Sequence, residues 1–238
     1  MDERKGSGAA GGYKGLRRWH AVALAMLGRF EESRTILAEA RAELADRGLS
    51  VALAATTSSS ARVELLAGDP ASAVEFQEEA LKLFEELGEK GAQSQAAADL
   101  ARALYVLNRL GEADDWAGRA AELGASNDLI IEMLWRQVRA KVLARRSQHD
   151  EAERLAREAV AIAENTDWLD GQGDPYADLA EVLTLAGKPD EAGAALEQAL
   201  VRYERKENLV MAERTRTRLS ELRGSLGPAE PVESARAR

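Results

Sequence analysis

Cysteine is absent from this 238-residue chain, and histidine occurs only as His20 and His149. The first absence removes disulfide staples, thiolate metal sites and a cysteine nucleophile. The second leaves almost no material for a histidine metal centre or a histidine general base. Aromatic residues are only 5% of the chain, while alanine is abundant; that balance favours thin, closely approaching helices over a large β core. The longest early apolar run, Ala21 to Gly28, falls far short of the ~18–20 residues that cross a bilayer. Met1 to Tyr13 is charged and then glycine-rich, without the apolar segment of a signal peptide. A soluble, cytoplasmic protein with no membrane contact is the expectation. Lysine and arginine (32) are outnumbered by aspartate and glutamate (41), for a net charge of −9. Nucleic acid, whose phosphates call for clustered cations, is therefore not an expected partner.

What the sequence does contain is a repeat. LGRFEES (27–33), AGDPASA (67–73), LNRLGEA (107–113), RSQHDEA (146–152) and AGKPDEA (186–192) align, and their second residues recur at intervals of 40, 40, 39 and 40. Twelve residues before the end of each segment stands an alanine (Ala21, Ala61, Ala101, Ala140, Ala180), and seven after it another (Ala40, Ala80, Ala120, Ala159, Ala199). Leu179, Val182, Leu183 and Leu185 before one turn, and Ala152, Leu155, Ala156, Ala159 and Val160 after another, show helical spacing. Glycine in the turn suits a left-handed helix C-cap, and Pro70 and Pro189 suit the first turn of the helix that follows. Asp174-Pro175 reads as a further N-cap and first helical residue. The methyl-sized residues let paired helices approach at the lower end of the ~8–10 Å range. Larger side chains in one equivalent place (Ile36, Phe76, Trp116, Leu155) fill the space between units.

The pattern implies an all-α, right-handed solenoid of about five antiparallel helix pairs, near 15–48, 50–88, 92–125, 128–166 and 173–206. A charged capping helix over 208–223 would close it. Residues 1–14 read as a disordered glycine-rich leader and 224–238 as a disordered tail.

These residues resemble the tetratricopeptide (TPR) repeat. Tyr176, Leu179, Ala180, Ala192 and Ala199 fall where that family places its large and small signature residues, and the resemblance covers about 16–223. The period of 39–40 departs from the family's 34, and the family's closing proline is missing from most units. The longer period looks like the TPR-like regions of large bacterial regulators of the MalT type. The stretch from Asp174 to Leu222 is similar to the ends of actinobacterial cyclase- or ATPase-linked signalling proteins. The resemblance implies a sensor or scaffold arm, with an upstream nucleotide-binding or signalling domain as one partner.

Catalytic chemistry finds little support. Gly6-Ser7-Gly8-Ala9-Ala10-Gly11 formally fits G-x-G-x-x-G, but only Met1 to Lys5 precede it, so the strand that a dinucleotide site needs is missing. Paired carboxylates such as Glu78-Glu79 and Asp114-Asp115 sit on expected solvent faces. No enzyme, no metal site and no cofactor is expected.

The concave face carries the functional expectation. In a TPR-like superhelix the first helix of each pair lines the groove, and positions three before, one after and four after the first repeated alanine point inward. They supply Arg18, Ser58 and Gln137, then Arg62, Arg102 and Lys141, and then Tyr105. The three cations read as a ladder for an acidic peptide or another carboxylate. The competing reading pairs them with acids of neighbouring helices, Glu64 or Glu181, so that they only solvate the groove. The TPR carboxylate clamp also uses asparagines that this chain lacks. Thr56 to Ser60 either permits close packing or lets Ser58 help Arg62 hold a polar ligand. Leu16 and Trp19 are expected to face the N-terminal end of the stack as a docking surface. The leading expectation is a non-catalytic scaffold that binds a protein or peptide in its groove; the alternative is the regulatory domain of a signalling ATPase, cyclase or transcription regulator. On this reading Arg62→Glu with Arg102→Glu abolishes binding and leaves thermal unfolding intact.

Overall fold

A left-handed turn every forty residues sets the architecture. The computed structural model describes residues 7–125, 128–166 and 171–225, with side chains from Gly15 to Gly224. Among these residues eleven helices and no strand are found: α1 (Ser7–Met26), α2 (Phe30–Asp46), α3 (Ser50–Ala67), α4 (Pro70–Leu87), α5 (Lys90–Val106), α6 (Leu110–Leu123), α7 (Leu129–Arg145), α8 (His149–Glu164), α9 (Gly173–Leu185), α10 (Pro189–Arg205) and α11 (Leu209–Ser225). Odd and even helices pair, α1 with α2 through α9 with α10, and α11 follows the last pair. The chain is an all-α repeat solenoid.

The turn inside each pair passes through a residue at positive φ: Gly28 (81°), Gly68 (87°), Asn108 (60°), Ser147 (62°) and Gly187 (74°). Each closes the same double hydrogen bond. In the first unit Gly28 N donates to Ala25 O at 2.9 Å and Arg29 N to Leu24 O at 2.9 Å; in the fourth, Ser147 N donates to Ala144 O and Gln148 N to Leu143 O, both at 3.0 Å. That Schellman geometry satisfies the last carbonyls of the first helix and reverses the chain. Pro70 and Pro189 are the first residues of α4 and α10, and Asp69 caps α4 by accepting from Ser72 N at 3.1 Å. Asp174 does not cap α9. That helix starts one residue earlier, at Gly173, and the Asp174 carboxylate is engaged elsewhere in the groove.

All ten repeated alanines are buried, none more than 7% exposed. Their methyls sit where helices of one pair, and of adjacent pairs, meet. Leu155 is buried, while Ile36, Phe76 and Trp116 are half-buried, with Arg41 stacked on Phe76 at 4.7 Å and Arg119 on Trp116 at 4.5 Å. Alanines carry much of the inner helix α5 (Ala96, Ala97, Ala98, Ala101, Ala103), and they draw the inner helices together.

The resulting curvature is tight, and it has two consequences. Helices α5 and α9, two units apart, touch across the groove through side chains. And α11, expected only as a solvent-facing cap, reaches the start of the chain: it packs near α1, and Arg214 Nη2 donates to Leu66 O at the end of α3 at 2.7 Å. Helix α1 begins at Ser7, within the stretch expected as a leader; extending an anchored helix is far cheaper than nucleating one. Residues 1–6 and most of the tail, 226–238, lie outside the described residues.

Candidate functional site

The groove is divided into a bridged half and an open half. In the C-terminal half polar side chains of α5, α7, α9 and α10 close on one another. Arg102 Nη1 pairs with Asp174 Oδ2 at 2.7 Å, and its Nη2 donates to Gln137 Oε1 at 2.7 Å. Tyr203 OH donates to the other oxygen of Asp174 at 2.7 Å. Gly173 permits that contact, since a Cβ there would stand 2.5 Å from Tyr203 Cε1. Lys141 Nζ pairs with Asp178 Oδ1 at 2.7 Å and lies 4.6 Å from the centre of the Tyr105 ring. Tyr105 OH in turn donates to Glu181 Oε1 at 2.5 Å.

Burial alone would raise the Asp174 carboxyl, but the charge of Arg102, with the hydrogen bonds from Tyr203 and Arg102, outweighs it and holds the group below the usual carboxylate range. Asp178 ends above its ordinary value because burial exceeds the help from Lys141 and Arg102. Gln137 is 1% exposed and Lys141 6%. Among the described residues this half is a structural polar core.

The N-terminal half remains open. A cavity of about 320 Å³ is walled by α1, α3, α4 and α5, with Leu134 of α7 and residues at the start of α9 completing it. Arg18, Trp19, Ser58, Arg62 and Asp99 line it, together with apolar wall from Val22, Ala55, Leu65 and Phe84. Arg62, unlike Arg102 and Lys141, makes no hydrogen bond or ion pair among the described residues. Burial lowers its pKa, only partly offset by the more distant Asp174 and Asp99, and Arg102 opposes them. Arg18 stacks on Trp19 at 4.7 Å and donates to Ala55 O at 3.3 Å, and burial lowers its pKa too.

Of the seven groove residues expected from the sequence, the structure thus brings Arg18, Ser58, Arg62 and Arg102 to one cavity. Tyr105, Gln137 and Lys141 are set in the bridging network. The cations do not form an open ladder, and their partners are not the two acids expected from the sequence: Glu64 pairs with Arg34 at 2.6 Å, Glu181 takes Tyr105, and Asp174 and Asp178 take the cations. The hydroxyl run is satisfied largely within the fold. Thr56, Ser59 and Ser60 donate to carbonyls one turn back, Thr57 accepts from Arg41 Nε at 3.1 Å, and Ser58 donates to Gln77 Oε1 at 3.2 Å. Trp19 is 51% exposed at the cavity rim, and Leu16, 66% exposed, stands outside the cavity lining.

Sequence reasoning missed the acids. Asp99 and Asp178 stand two residues before the repeated alanine, and Asp174 six before; the same i, i+4 stripe carries Ala55 and Ser59 into the cavity wall. A second inward stripe beside the chosen one would have shown them.

Residues 130–208 and 15–39 each match a tetratricopeptide repeat family. These two stretches are similar to tetratricopeptide repeats. Among solved structures of similar fold, a thermophilic TPR protein of Thermus thermophilus aligns with a TM-score of 0.57 and 21% identity, over 88% of this chain and 98% of that one. The nearly identical TPR-like repeats of a Podosopora anserina protein described as a kinesin light chain align with a TM-score of 0.53 and 19% identity, over 81% and 95%. BtubC from P. vanneervenii aligns with a TM-score of 0.51 and 18% identity, over 89% and 96%. At these identities the likeness is one of fold. No curated protein sequence matches the chain. Among the described residues no helix is long and apolar enough to cross a membrane, and no cluster of three or more potential metal ligands occurs.

Proposed function

We propose that this TPR chain is a non-catalytic protein-interaction scaffold. The open N-terminal half of its groove accepts an extended acidic peptide, and Arg62 receives a carboxylate. The observation that carries the reading is the state of Arg62, a guanidinium facing a cavity of about 320 Å³ with no ion-pair partner of its own. A half-buried cation without a counter-charge costs stability, and a carboxylate ligand relieves that cost. Apolar wall beside it offers area for neighbouring side chains, and Trp19 at the rim offers a stacking face.

The alternative, a regulatory domain that senses a small effector, draws support from the limited size of the cavity. It would be carried by a signalling regulator with a nucleotide-binding domain nearby.

An acidic-peptide array probed with wild type and Arg62→Glu tests the scaffold. The expected result is at least a tenfold loss of affinity in the variant, with its helical circular dichroism retained. Equal binding by the two proteins rejects Arg62 as the receptor. Arg102→Glu is unsuited to this test, since it breaks the Asp174 bridge and would lose binding by unfolding.

A further inference from the structure

Arg62 on α3 has a counterpart on α5. Asp99 lines the same cavity and, like Arg62, makes no hydrogen bond or ion pair among the described residues. Guanidinium and carboxylate are therefore more than 4.0 Å apart, sharing one chamber without closing on each other. Burial pushes each toward its neutral form: Arg62 is lowered, and Asp99 is raised even though Arg102 and Arg62 pull it down. The other charges that line the chamber are accounted for differently. Arg102 and Asp174 neutralise each other at 2.7 Å. Among the described residues Arg18 has the Trp19 face and the Ala55 carbonyl, and no carboxylate.

The uncompensated set is thus two guanidiniums and one carboxylate. Its complement is one ammonium and two carboxylates, on a ligand small enough for about 320 Å³. A chain end supplies an ammonium for Asp99 that a strand running through the groove does not, and helices α1, α3, α4, α5, α7 and α9 all contribute to the wall around it. Successive residues of an extended peptide advance about 3.3–3.6 Å. A carboxylate on the first or second residue is thereby carried away from the terminal ammonium on Asp99 and toward Arg62.

We propose that the chamber binds the free amino end of an acidic peptide, with its ammonium on Asp99 and its carboxylates on Arg62 and Arg18. The proposal rests on the scaffold reading and adds to it the recognition of an uncapped N-terminus. Charge-assisted contacts of this kind are the strong ones, and a site built for an ammonium rejects the analogue that lacks it because the half-buried carboxylate is then left unpaired.

The test is calorimetric titration of a panel of Glu-Xaa dipeptides, each with a free and an N-acetylated amino group, into wild type and Asp99→Asn. Wild type is expected to bind the free forms at least tenfold more tightly than the acetylated ones, and Asp99→Asn to bind both alike. Thermal melts verify that the variant is folded. Equal affinity of wild type for free and acetylated dipeptides overturns the proposal, as does discrimination that survives in Asp99→Asn. If wild type binds neither form, the proposal also fails; Arg62-dependent capture of longer, N-acetylated acidic peptides would then show the scaffold reading standing without it.

Discussion

Replacing Arg102 by methionine should be among the most damaging single changes to the groove, although it removes a charge from a face expected to be solvated. The side chains of Arg102 and Asp174 are 22% and 26% exposed, and the guanidinium also satisfies Gln137, which is 1% exposed and whose Nε2 already lacks a partner. Methionine preserves the stem and its packing. It leaves Asp174 with Tyr203 alone and strands both ends of the Gln137 amide. Breaking a fully buried pair costs about 3–5 kcal/mol; discounted for partial exposure, the loss here is about 2–3 kcal/mol. In a domain of this size 1 kcal/mol moves Tm by about 2–4 °C, so the expected fall is about 4–12 °C by calorimetry or by circular dichroism at pH 7. Arg154→Ala is the control. Arg154 pairs with Glu151 and Glu158 on the exposed face of α8, and its removal should leave Tm close to that of wild type. Asp174→Asn placed on Arg102→Met should cost less than it does alone, because the two residues are coupled.

The pH dependence follows in sign. With its carboxyl held low in the fold, Asp174 contributes stability above its unfolded pKa of about 3.9 and loses it as pH falls below that. Arg102→Met should abolish that dependence. A Tm within 1 °C of wild type, or a loss no larger than that of Arg154→Ala, would refute the view of this node as a structural bridge.

Two further changes should act in the opposite direction. Asp99 is raised in the fold, so its contribution is fully present below about pH 3.9 and is lost as pH rises through its folded value; Asp99→Asn should therefore raise Tm at pH 7 and have little effect at pH 3, and a lower Tm at pH 7 would contradict an uncompensated charge. Ser147 holds φ at 62° where three of its four counterparts are glycine; Ser147→Gly should gain about 0.5–1 kcal/mol by relieving left-handed strain, read as a rise in Tm of about 1–4 °C, with a fall as the opposing result.

Helix pairing and turn positions were legible in the sequence because they depend on local chemistry. Left-handed residues and methyl-sized contacts recur in each of the five units, and two units add a proline at the start of the second helix. The alternation of buried alanine and half-buried Phe76 or Trp116 is likewise nearest-neighbour information. What was not legible depends on curvature, the small rotation per unit summed over several units. It decides that Arg102 meets Asp174 across 72 residues, that Arg214 reaches Leu66, and that the cations of the third and fourth units are consumed while Arg62 is not. Asp174 shows the difficulty in one residue: followed by proline it reads locally as a helix cap, yet the fold brings a guanidinium and a phenol to its carboxylate. The candidate site was half visible. The stripe with Arg18, Ser58 and Arg62 was found, but the adjacent stripe with Asp99 was not.

The most direct test of the scaffold claim is a backbone NMR titration of the intact chain with the tightest acidic peptide from the array. Shift changes are expected to concentrate on α1, α3 and α5 around Arg18, Ser58, Arg62 and Asp99. Changes confined to the outer helices α2, α6, α8 and α10, with the Arg62 region unmoved, would contradict it.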